Sequence, residues 1–135
     1  MSTLKNWIYI GIFLDKETTE QLKVLTGKVL DKDWKLYCHH MTIAFNDGSD
    51  KALSLYNIYK EYFGAKTEIM ATHIGVSKDA IAVKVDFKGQ TSNKTPHVTL
   101  ATPIDGKPVN SNYITNWSPL IKPIKLTGIF SSFNK

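Results

Sequence analysis

Two short stretches of this chain share one pattern. His40-Met41-Thr42-Ile43 and His97-Val98-Thr99-Leu100 each run histidine, apolar residue, threonine, apolar residue. Histidine titrates near neutral pH, so of two brought together one can take a proton while the other gives one. Threonine hydroxyls donate hydrogen bonds to phosphate oxygens. Two imidazoles and two hydroxyls in one cleft are therefore the parts for acid/base cleavage of a phosphodiester with no metal and no other cofactor. A histidine followed two places on by Ser or Thr arises by chance for roughly one His in ten at ordinary residue usage. A single such motif would carry little weight, but two with the same apolar neighbours point to a site made from two halves.

The elements that position them follow from periodicity. Residues two apart on a strand share a face, so His40 and Thr42 project together, as do His97 and Thr99. Met41, Ile43, Val98 and Leu100 then point into the core and hold the polar pairs rigidly. "WIYIGIFL" (7–14) is aromatic and β-branched and predicts a strand, with Tyr9, Gly11 and Phe13 on one face. "DKETTEQLKVLTGKVLD" (15–31) predicts a helix from Leu22, Leu25 and Val29, with Asp15, Glu17 and Glu20 in its early turns. Residues 34–45 return to strand, 46–50 form a turn with capping residues, and "KALSLYNIYKEYF" (51–63) predicts a second amphipathic helix. Its apolar stripe is Ala52, Leu55, Tyr56, Tyr59 and Phe63.

Strands follow at 66–76 and 80–87 around a tight turn, then a polar loop at 88–94 and the second motif strand at 96–102. A turn-rich connection leads through a short helix near 112–117 to a last strand over 121–133. This order describes a single α+β domain over 1–135, with two helices flanking largely antiparallel strands. No glycine-rich phosphate loop opens a helix.

The remaining candidates are weaker. His39 should point away from His40, and His73 has no Ser or Thr two places on, so both suit structural roles. Cys38 shares the expected face of His40 and could line the cleft, but a small buried hydrophobe is its more ordinary role. The four histidines match no H-E-x-x-H spacing and Cys38 is the lone cysteine, so no metal site and no intramolecular disulfide is expected. Net charge is +5, which suits anionic partners such as RNA, nucleotides or phosphates. The opening apolar run is too short to span a bilayer and lacks a small-residue cleavage site, so a cytoplasmic protein without membrane attachment is expected.

The paired motifs resemble those of the 2H phosphoesterase superfamily, whose signature is two H-x-T/S motifs. In layout the resemblance covers nearly the whole chain. "YIGIFL" and "HVTLATPIDGKPVNSNYI" are also similar to the cyclic phosphodiesterase domain of fungal-type tRNA ligases. The resemblance implies a bilobal, pseudo-twofold fold around a central cleft, with His40, Thr42, His97 and Thr99 catalytic. It implies a monomeric enzyme acting on a 2′,3′-cyclic phosphate or an RNA-terminal phosphodiester. Some viral members cleave cyclic oligonucleotide immune signals, and a non-catalytic RNA- or nucleotide-binding module remains an alternative. Around the site, Tyr9, Gly11, Lys94, Lys107 and Tyr113 are the expected substrate contacts. Gly11 could let a ligand approach the backbone. Trp34, Tyr37, Phe45 and Tyr113 are candidates for stacking on a base. The turn-rich connection after the second motif, where the first is followed by a helix, makes the two halves unequal.

Overall fold

The computed structural model describes residues 6–30 and 33–134. Strand β1 (Trp7–Leu14) leads into helix α1 (Lys16–Val29), and the chain continues through β2 (Lys35–Leu36), β3 (His40–Phe45) and helix α2 (Asp50–Tyr59). β4 (Lys66–Val76), β5 (Ile81–Asp86), β6 (His97–Thr102) and β7 (Trp117–Asn134) complete it. Short 3₁₀ turns lie at Lys60–Tyr62 and Pro108–Tyr113. All strand pairings are antiparallel. The sheet order is β2-β6-β3-β1-β7-β4-β5, and β5 also pairs with β6, closing six strands into a barrel. The α+β class with largely antiparallel strands is as expected.

Both helices begin on side-chain caps. Asp15 accepts a 2.8 Å hydrogen bond from the Thr18 amide, and Ser49 accepts one of 3.1 Å from Ala52. Leu22 of α1 and Leu55 of α2 bury against Ile10, Ile12, Met41, Ile43, Val98 and Leu100 from one face of the sheet. The opposite face of the same strands is left free for polar residues, which is how the barrel comes to carry a site. Val29, expected in the stripe of α1, lies exposed at the last residue of the helix. Asp31, the last residue of that expected helix, lies outside the described residues.

Three elements differ from expectation. Residues 34–45 form two strands, because Cys38 adopts φ +61° and breaks the run. Up to that point the chain follows β6, with Tyr37 N–H bonded to Leu100 O and Cys38 N–H to Thr99 O. Beyond it the His39 carbonyl accepts from Leu14, and β3 runs beside β1. The short helix expected near 112–117 forms instead at Pro108–Tyr113, opened by a proline whose fixed φ suits a first helical turn. The last strand begins earlier, at Trp117. Its pairing with β4 jumps from Pro119 opposite His73 to Ile124 opposite Ala71, so residues 120–123 leave the ladder. That excursion accommodates Pro123, which has no N–H to give. Among the described residues no helix is long and apolar enough to cross a membrane.

Candidate active site

β3 and β6 lie side by side with Met41 paired to Val98. Carrying that antiparallel register one residue each way sets His40 across from Thr99 and Thr42 across from His97. The two motifs are thus related by a local twofold through the Met41–Val98 pair. All four polar side chains line one cavity of about 450 Å³, together with Tyr9, Phe45, Ser92, Asn93, Lys107, Pro108, Val109 and Asn112.

The backbone around β3 is irregular in a way that shapes this cavity. Ile10 pairs with Ala44 but Gly11 with Thr42, so Ile43 is an extra residue in the ladder. The bulge lets both Ile43 and Ala44 turn into the core and brings Phe45 round beside Tyr9, into the cleft. The Ile43 carbonyl accepts from both the amide and the hydroxyl of Ser92, at 2.8 and 3.2 Å. The loop carrying Asn93 is thereby pinned over the site, and a 2.7 Å bond from the Tyr59 hydroxyl to Gln90 O holds its other end.

The two histidines sit in different surroundings. His97 is 9% exposed, and its Nδ1 donates to the Thr95 carbonyl at 2.8 Å. A carbonyl can only accept, so Nδ1 carries the proton and Nε2 is the nitrogen left for a ligand. Burial lowers the basicity of His97, while this carbonyl opposes the shift. His40 is half-buried, stacked on Tyr9 with ring centroids 4.7 Å apart. Its pKa is pushed down to about 4 by burial first, then by the neighbouring His39 and His97. His39 does not point away as strand alternation predicts. Its Nδ1 lies 2.7 Å from Nδ1 of His40, because the left-handed turn at Cys38 places His39 before the strand begins.

The threonines differ too. Thr99 is 9% exposed, and its hydroxyl lies 2.9 Å from Ser111 Oγ and 3.3 Å from the Pro108 carbonyl. The Thr42 side chain makes no hydrogen bond among the described residues, so its proton is free for a ligand.

Of the other expected contacts, Tyr9 and Lys107 line the cleft. Lys94 lines an adjoining cavity of about 270 Å³ that shares Ser92, Asn93, His97 and Asn112 with the first. Tyr113 lines neither cavity and is 77% exposed. Gly11 makes room for a strand, not for a ligand. A Cβ there would sit 2.3 Å from the Met41 carbonyl oxygen. Trp34 packs against the core. Tyr37 meets the His39 ring edge-on, and its hydroxyl lies 3.4 Å from Thr102 Oγ1. Cys38 is fully buried in the core and does not line the cleft. His73 bonds Thr72 at 2.9 Å, away from the cleft. Ser92, Asn93, Ser111 and Asn112 stand in or beside the site without a motif in the sequence to mark them. Their only sequence signal is the small polar composition of "KGQTSNK" and "NSN", which many surface loops share.

Among the described residues no three His, Cys, Asp or Glu side chains gather as a metal-ligand set. Comparison with protein-family models and with curated proteins finds no match to this chain.

Proposed function

We propose that this chain is a 2H-type phosphodiesterase that acts through His40, Thr42, His97 and Thr99 on a nucleotide 2′,3′-cyclic phosphate or an RNA-terminal phosphodiester. The observation that carries this is the antiparallel pairing of Met41 with Val98, which sets both H-x-T motifs around one cavity. Each histidine engages protein through Nδ1 and keeps Nε2 for substrate. The bilobal, pseudo-twofold fold of that superfamily belongs to the same proposal. It is supported by the local twofold of the motif strands and by the helical segment that follows each of them, α2 after β3 and the 3₁₀ turn after β6.

Roles follow from the surroundings. His40, buried and then crowded by two other imidazoles, rests neutral and serves as general base toward water or a ribose 2′-hydroxyl. His97, whose imidazolium burial disfavours and the Thr95 carbonyl partly restores, protonates the leaving oxygen. Thr42 donates to the phosphoryl oxygens as their charge grows, and Thr99 does so on exchanging its bond to Pro108. Lys107 adds positive charge at the rim. A monomer in the cytoplasm, where RNA ends and nucleotides are found, fits the +5 charge.

The test is a panel of 2′,3′-cyclic nucleotides, short RNAs and cyclic oligonucleotides, read by mass spectrometry with EDTA present. Opening of a 2′,3′-cyclic phosphate or cleavage at an RNA end is expected. Binding without turnover would instead identify a nucleotide-binding module, and turnover confined to the cyclic oligonucleotides would move the substrate to that class. Loss of activity on chelation, restored by a divalent ion, would overturn the metal-free mechanism.

A further inference from the structure

The contact between His39 and His40 has a definite chemical content. The rings are nearly coplanar, inclined by 21°, with centroids 4.7 Å apart and Nδ1 atoms at 2.7 Å. This is two rings meeting edge to edge across an in-plane N–H···N bond, not one ring lying over the other. One Nδ1 must carry a hydrogen and the other a lone pair. If the hydrogen sits on His39, neutral His40 holds its own proton at Nε2 and cannot act as a base toward the cleft. If it sits on His40, Nε2 of His40 is bare. Once His40 has accepted a proton there, both its nitrogens carry hydrogens and His39 must still be the acceptor. Only the second arrangement serves His40 unchanged before and after proton transfer.

Resting on the phosphodiesterase reading above, we propose that His39 is a positioning residue whose Nδ1 accepts the Nδ1–H of His40 and so presents a bare Nε2 to the substrate. The proton balance is simple. The attacking hydroxyl or water loses its proton to Nε2 of His40 as the O–P bond forms, and Nδ1–H stays in place, bonded to His39. The leaving oxygen takes its proton from Nε2 of His97. Two features keep His39 in the acceptor form. Partial desolvation first, and then the charge of Lys23 of α1, disfavour a charged His39, and the residue keeps enough exposure for its own Nε2–H to be satisfied by water. The left-handed Cys38 makes the contact possible by holding His39 outside strand alternation.

Three variants separate the acceptor from the packing. His39→Phe keeps a flat ring and removes the nitrogen. It should lower kcat about 10- to 100-fold, the scale for a partner that orients a reacting group, with KM and melting temperature little changed. His39→Asn places an amide oxygen near the position of Nδ1 and should recover activity to within a few-fold of wild type. His39→Ala should resemble His39→Phe. The direct readout is the imidazole ¹⁵N shifts of His40 in the free protein. Wild type should show Nδ1 protonated and Nε2 bare, and His39→Phe should shift toward the Nε2–H tautomer. Full kcat in His39→Phe, no recovery in His39→Asn, or Nε2–H on His40 in wild type would each overturn the proposal. The tautomer measurement needs no substrate. A wild-type protein that turns over nothing in the panel would overturn the phosphodiesterase reading, while the ¹⁵N shifts would still decide the role of this contact.

Discussion

Acidification should destabilise the ligand-free protein through His40. Its folded-state pKa is about 4 against an ordinary value of 6.5, so below pH 6.5 the unfolded chain holds a proton that the folded chain refuses. Stability is therefore lost as pH falls from 6.5 toward 4, and above 6.5 the contribution vanishes because neither state is charged. At pH 5 the unfolded imidazole is about 97% protonated and the folded one about 10%, which amounts to about 2 kcal/mol. Half-burial and the open cleft reduce this to about 1–2 kcal/mol. For a chain of this size that is roughly 3–8 °C in melting temperature. The assay is thermal unfolding at pH 7.5 and pH 5 for wild type and His40→Gln. Asp15 and Asp47, held below the usual carboxylate range by their hydrogen bonds to Thr18 and Ser49, contribute equally to both proteins and cancel. Wild type should lose more than the variant by that margin. His39 and His97 are lowered too, and their coupling to His40 belongs to the same difference. Parallel curves for the two proteins would show that His40 titrates normally in the fold, and the case for a neutral resting base would fail.

Four further outcomes are expected. His40→Ala and His97→Ala should each lower kcat/KM by about 10²–10⁴-fold, and the double variant by far less than the product. In steady-state assays Thr42→Val should lower kcat by about 10- to 1000-fold, whereas Thr99→Val should cost less activity, its hydroxyl being already engaged. Thr99→Val also leaves Ser111 Oγ without its partner and should cost about 1–3 kcal/mol in an unfolding titration; equal kinetic losses with no stability cost would remove the asymmetry. The pH profile of kcat/KM should be a bell with its maximum on the acid side of 6.5, because both histidines are lowered in the free protein. Gly11→Ala must move the Met41 carbonyl, so the melting temperature should fall together with kcat; loss of affinity alone would return Gly11 to the ligand.

Much of the fold was legible because its periodicities are local. The alternation in "WIYIGIFL" reports the burial of Ile10 and Ile12, the stripe Ala52, Leu55, Tyr59 reports burial directly, and Asp15 and Ser49 mark helix starts with side chains that reach their own backbone. The departures occur where a distant strand decides. Residues 34–45 look like one strand, yet β6 claims the first part and β1 the second, and the chain turns between them at a cysteine with positive φ. Nothing local marks a cysteine for that conformation. Likewise Pro123 argues against a strand, and only the excursion opposite Thr72 shows how the last strand carries it.

The site follows the same division. Tyr9, His40, Thr42, His97 and Thr99 come together by period-two alternation, and all five line the cleft. Alternation fails for Phe45 and His39, on either side of the first motif, because a bulge at Ile43 and the turn at Cys38 each shift the count by one. The bulge has a counterpart in the second half-site, where Ile81 pairs with Ala101 but Ala82 with Thr99 and Leu100 is the extra residue. β6 is buried along its whole length, whereas β3 leaves His40 and Thr42 half-open. Two four-residue phrases of one pattern therefore end in unequal environments: one imidazole half-buried beside a second ring, the other buried against a carbonyl. Water or a mobile hydroxyl can reach His40 more readily than His97, and the Thr95 carbonyl offsets part of the burial that disfavours a charged His97. In the proposed mechanism that inequality, which no symmetry of sequence could reveal, is what would divide base from acid.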